Sequence, residues 1–164
     1  MNDTPLTDPL ILQSERVTRA LDFFHQGYNC SQSVFAAFAD ACGLDEKLAL
    51  QISAPFGAGI GRMREVCGAF CGLAMVSGVH HGNATPNTDD KEKIFTLVQE
   101  LASEFKSEFG TIYCRDLLHL SDETKETPRP SERTKSYYDA RPCERCVAHC
   151  ATLAEKLIEP SRSN

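Results

Sequence analysis

The sequence predicts an all-α fold, a compact single-domain bundle of five to seven helices. Three observations carry this prediction. Apolar residues recur at three- and four-residue intervals along most of the chain. No segment sustains the period-two alternation of a half-buried strand. Helix-start residues also alternate with glycine and proline stops. With 164 residues, 41% of them hydrophobic, the chain can bury one substantial core. No internal repeat of roughly 20–50 residues is visible.

Residues 1–8 read as a flexible polar arm, and 9–160 as the helical domain. From Ser14 to His25, Val17, Leu21 and Phe24 share one face, and Gly27 is the stop. Asn29 then reads as an N-cap, with Gln32 completing a capping box, and the second helix should run to Cys42 before Gly43. Asp45 to Ser53 predicts a short third helix ending at Pro55. A glycine-rich turn, Phe56 to Gly61, feeds a helix predicted over Met63–His81, with Arg62 and Arg64 facing the cysteines that follow. His80 and His81 close that helix as dipole-compatible caps rather than metal ligands. Asn87 to Phe109 places Ile94, Val98, Leu101 and Phe105 on one face and stops at Gly110. A short helix is expected around Ile112–Leu120. Residues 121–141, polar and broken by two prolines, read as a long solvated connection or insertion. Pro142 opens the last helix, which should run to Ile158 before Pro160.

Net charge of −6 and a pI near 5.3 argue against nucleic acid or an anionic membrane as partner, and no basic cluster with interleaved aromatics stands out. The N-terminal segment carries acids where a signal peptide would be basic, and its apolar patch, Leu10 to Leu12, is too short for a signal core. The longest nearly uncharged run, Val66 to Val79, is too short to span a bilayer. The expected location is therefore the cytoplasm, where thiols stay reduced.

Eight cysteines are many for such a protein. Some can be buried as small hydrophobes, and Cys42 is assigned to the core. Others have chemically suggestive positions. Cys30 follows the Asn29 cap, Cys67 follows the glycine-rich turn, Cys114 lies three residues after Thr111, and Cys143 follows Pro142. All four are thus expected near helix N-termini, where the dipole and free N–H groups should lower a thiol below its usual pKa of roughly 8.5. Thiolate is the form that attacks disulfides and binds soft metals. Cys67 and Cys71 lie one helical turn apart, and Gly68 and Gly72 make a parallel strip that lets another backbone approach closely. Cys143, Cys146 and Cys150, with His149 beside them, form a CxxC with one further thiol, a pattern shared by thiol oxidoreductases and metal sites. His25 and His119 carry no assigned role, and the Gly57-x-Gly59-x-Gly61 run lacks the strand and the Lys-Ser/Thr pair of a phosphate loop.

The order GYNCSQSV, CGAFCG, YCRDLL and CERCVAHCA resembles the C_GCAxxG_C_C family, small proteins proposed to be redox-active, with four characteristic cysteines and a CGAxxG motif. Residues 67–72 match that motif at every fixed position, and the resemblance spans residues 20–155. It implies that Cys30, Cys67, Cys114 and Cys143 are the family's cysteines, with Cys71, Cys146 and Cys150 as extras. The expectation is one site where these four converge, either as ligands of an iron–sulfur cluster or zinc, or as redox thiols. A redox protein or small thiol is the expected partner, with a homodimer as a further form. Two alternatives differ in class: a non-catalytic helical interaction protein with structural cysteines, and a thiol-dependent enzyme with a base near Cys67.

Overall fold

Capping chemistry defines where each helix begins. In the computed structural model, which describes residues 11, 13–121, 123–124 and 126–158, Ser14 Oγ accepts from the Val17 N–H and starts α1 (Glu15–His25). Asn29 and Gln32 form the expected capping box of α2 (Cys30–Ala37). Asp45 caps α3 (Glu46–Ser53), which a single 3-10 turn over Ala54–Phe56 continues. After the glycine-rich segment comes α4 (Gly68–His81), then α5 (Thr88–Phe109), capped by Asn87 and ended by left-handed Gly110. Three helices complete the chain: α6 (Cys114–Leu117), α7 (Lys135–Asp139) and α8 (Cys143–Ile158).

The described residues are therefore all-α, with eight α-helices, of which α6 and α7 are a single turn or little more. The only strand-like feature among them is one isolated bridge, Val66 to Tyr113. The arm expected over residues 1–8 and the stop at Pro160 lie outside the described residues. Among the described residues no helix is long and apolar enough to cross a membrane.

The core sits where α2 packs against α1, α3, α4 and α8. Phe24, Val34, Phe38, Leu73, Val76 and Val147 fill it completely buried. α5 joins through Leu101 and Phe105 near its C-terminal end. The glycine strip of α4 does what its spacing predicted. A Cβ on Gly72 would stand 2.8 Å from Val34 Cβ and 3.0 Å from Ser31 O, so α2 and α4 meet almost backbone to backbone. This close crossing draws the starts of both helices, and their cysteines, together.

Four boundaries differ from expectation, each for a local reason. α2 ends at Ala37 rather than Cys42, because Phe38 N–H and Ala39 N–H bond back three residues and the chain turns toward left-handed Gly43. α6 is confined to Cys114–Leu117 within the predicted 112–120. α4 starts at Gly68, not Met63, because Arg64 has a positive φ of 64° and Cys67 is non-helical with ψ of 128°, its N–H bonded to Ile112 O instead of within a helix. The 121–141 segment is not simply solvated. Arg133 stacks within 4.8 Å of the Phe24 ring and 4.7 Å of Tyr137, and α7 follows. Cation–aromatic packing, rather than an apolar period, holds this segment on the bundle.

Candidate functional site

Each of the four helix-start cysteines lies where its position in the sequence suggested. Cys30, Cys114 and Cys143 are the first residues of α2, α6 and α8, and Cys67 is the N-cap residue of α4. All four, together with Cys146, line one cleft of about 270 Å³. The remaining cysteines lie behind or away from it. Cys71 is one turn beyond Cys67 with Sγ 3.9 Å from Val66 O; Cys150 is buried one turn beyond Cys146; Cys42 is half-buried against the core.

A strained segment builds one wall. Ala58, Gly59, Ile60, Gly61 and Arg62 run consecutively left-handed, with φ of 54°, 73°, 59°, 59° and 66°, and Arg64 follows at 64°. Only two of these are glycine. A left-handed conformation costs about 1–2 kcal/mol for each L-residue that has a Cβ, so the surroundings must hold this turn in place. Gly61 N–H donates to Pro55 O at 2.7 Å and Glu65 N–H to Gly59 O at 3.0 Å. Cys67 N–H to Ile112 O and Cys114 N–H to Glu65 O, at 2.8 and 2.7 Å, then tie the cysteine starts of α4 and α6 to one another. Gly59 could carry no side chain here, since its Cβ would lie 2.7 Å from Cys114 Cβ. The result of the strain is to turn Arg62 and Arg64 into the cleft, as the sequence suggested.

The thiols do not behave as helix starts alone would dictate. Backbone N–H groups of Ala58, Ser31 and Cys30 do pull the Cys30 thiol down, but burial dominates and pushes it up to about 11. Burial likewise pushes Cys143 up to about 12, aided by the neighbouring thiols of Cys30, Cys67 and Cys114. Cys114 is also raised by burial, although Arg64 Nη1 lies 3.8 Å from its sulfur and works against the rise. The expected lowering is thus reversed. Desolvation of a buried thiolate outweighs a helix dipole when several thiols are buried together.

Cys67 and Cys146 form a pair within this group. The Cys67 thiol is pushed well up, first by its interaction with Cys146 and then by burial. The same interaction pulls Cys146 down, while burial and the thiols of Cys150, Cys143 and Cys30 leave it raised overall. Both sulfurs are nearly closed off, with Cys67 6% and Cys146 1% exposed. All eight cysteines are free thiols.

Among the described residues no three Cys, His, Asp or Glu side chains come together in a group that could hold a metal ion. His149 is no exception: it lies buried beside the Phe105 and Phe109 rings rather than at the cleft.

Several lining residues were not identified in the sequence. Arg133, Tyr137 and Arg141 come from the supposed connection, with the Arg141 guanidinium 4.3 Å from the Tyr137 ring. Glu126 forms ion pairs with Arg62 Nε at 3.0 Å and Arg64 Nη2 at 3.1 Å. The arginines hold the Glu126 carboxyl below the usual range. The interleaving of arginine and tyrosine over 133–141 is the signal that could have marked this segment.

No curated protein and no solved structure matches the chain. A family model described as "Putative redox-active protein (C_GCAxxG_C_C)" matches residues 28–157, which include every cysteine of the cleft. With that match covering well over half its length, the chain belongs to the C_GCAxxG_C_C family.

Proposed function

We propose that the chain is a thiol–disulfide redox protein whose couple is Cys67 and Cys146. The observation that carries this reading is that Cys67 and Cys146 line one cleft with three further cysteines, where each shifts the other's thiol in the opposite direction. A disulfide closes this couple when the two sulfurs approach to about 2.05 Å.

The chemistry balances within the pair. Cys146, whose thiol the interaction with Cys67 pulls down, attacks one sulfur of a disulfide R–S–S–R, forming a mixed disulfide and releasing one R–S⁻. Cys67 then attacks the Cys146 sulfur, closing the Cys67–Cys146 bond and releasing the second. The two thiol protons leave on two molecules of R–SH, and the two electrons of the dithiol pass to the substrate. A dithiol or small thiol would reverse the sequence and restore the couple. The raised thiols make the resting pair a poor nucleophile toward solvent reagents. Reaction therefore depends on a disulfide seated in the cleft, where proximity offsets the small thiolate fraction. A reducing cytoplasm suits such a resting dithiol.

A redox titration tests this. Protein equilibrated with mixtures of oxidised and reduced glutathione, then alkylated and peptide-mapped, should accumulate a Cys67–Cys146 link as two thiols disappear together. Cys67→Ser and Cys146→Ser should each abolish the paired loss. A pair that forms unchanged in both variants would refute the assignment.

A further inference from the structure

Resting on the dithiol reading, we infer that the cleft is an anion site and that its substrate is a small disulfide bearing carboxylate groups. Four arginines line the cleft, Arg62, Arg64, Arg133 and Arg141, and none of the described residues lining it is acidic. Their charge is balanced in part only, since the single carboxylate of Glu126 is shared by Arg62 and Arg64. Arg133 donates to Tyr28 O at 3.0 Å and otherwise meets aromatic rings, and Arg141 likewise faces Tyr137. Such a cluster stands out in a chain whose net charge is −6.

Two features show that the charge is presented rather than merely stored. Arg64 is 3% exposed, lines the cleft, and its buried Nε makes no hydrogen bond. Arg133 Nη1 is buried and without a hydrogen-bond partner as well. A buried guanidinium N–H left without an acceptor is costly, and a carboxylate in the cleft would supply one. In addition, α2, α4 and α8 all begin at the cleft, so three positive dipole ends reinforce the arginines.

Size comes from the same geometry. Cys67 and Cys146, both buried, line a cleft of about 270 Å³ together with Pro128, Pro130 and Ser131. A folded partner could not bring its disulfide to them, whereas a small molecule could.

The test varies charge at constant chemistry. Reduced protein is mixed with 3,3′-dithiodipropionate, bis(2-hydroxyethyl) disulfide or cystamine, which carry two negative, no and two positive charges. Each rate is divided by that of the same disulfide with dithiothreitol, removing leaving-group differences. The normalised rate of the dianion should exceed that of the neutral disulfide by about tenfold or more at low salt, with cystamine slowest, and salt should erode the preference. Arg141→Gln should bring the dianion-to-neutral ratio toward unity, while Arg19→Gln, remote from the cleft, should preserve it. Equal normalised rates would overturn the anion inference and leave the couple standing. Failure of all three to oxidise the protein would remove the couple and the inference together. Calorimetry with suberate, a dianion of the same length without sulfur, reads binding alone; no heat at millimolar ligand would also overturn the inference.

Discussion

At pH 8 the half-buried thiols of Cys30 and Cys143 should resist iodoacetamide far more than their exposure suggests. The reactive species is the thiolate. Burial holds these two thiols at about 11 and about 12, against 9.0 for an unperturbed thiol. Their thiolate fractions at pH 8 are then about 100-fold and about 1,000-fold below that of a free cysteine. The assay is timed alkylation, acid quench and peptide mass spectrometry, with urea-unfolded protein at the same pH as reference. Shielding by the cleft walls would also slow the reaction, so the pH profile must separate the two effects. Simple shielding leaves the midpoint near 9, whereas raised thiols continue to gain about tenfold in rate per pH unit through pH 10. Folded-state rates within about threefold of the unfolded reference at pH 8 would refute the reasoning. They would mean that the N-termini of α2 and α8 outweigh burial after all.

Three further outcomes follow from the same contacts. Because the cleft thiols are raised on folding, the stability they permit is full below pH 9. It is lost as pH climbs from the unfolded thiol value of 9.0 through the folded values of about 11 and 12, since the unfolded chain ionises first. The unfolding free energy from urea titration should fall between pH 8 and pH 10, by up to about 1.4 kcal/mol per thiol for each unit above 9, and a flat profile would contradict the assignment. Gly68→Ala would place a Cβ 2.5 Å from Cys30 Sγ and 2.8 Å from Phe56 O; it should cost about 1–3 kcal/mol in chemical denaturation, and no loss would show a looser α2–α4 crossing. Asn29→Ala removes the capping box of α2 and the bond from Asn29 Nδ2 to Ala54 O, so a loss of about 1–2 kcal/mol is expected by the same assay.

Much of this fold was legible because its helix ends are written in short-range chemistry. Ser14, Asn29, Asp45 and Asn87 act as caps through contacts within three residues, and Gly110 stops α5 where the pattern ended. The same locality placed the four helix-start cysteines. What stayed hidden depends on long-range contact. The left-handed run through Ala58, Ile60 and Arg62 contradicts the intrinsic preference of each residue, and bonds to Pro55, Ile112 and Glu65 impose it. Residues 133–141 pack through arginine stacked on Phe24 and Tyr137, a contact between distant segments that no apolar period announces. The direction of the thiol shifts was misread for a related reason. A helix start can be recognised from sequence, but the burial that overrides its dipole is a property of the assembled cleft. The interaction of Cys67 with Cys146 likewise arises only where α4 and α8 pack.

The most direct test of the dithiol account begins with anaerobic purification, followed by metal analysis, an absorption spectrum and a thiol count before and after oxidation by one equivalent of a small disulfide. The account predicts a colourless protein without stoichiometric metal, in which eight thiols fall to six and the missing two are Cys67 and Cys146, joined to each other. Visible charge-transfer bands with stoichiometric iron, or two lost thiols mapped to any other pair, would contradict it.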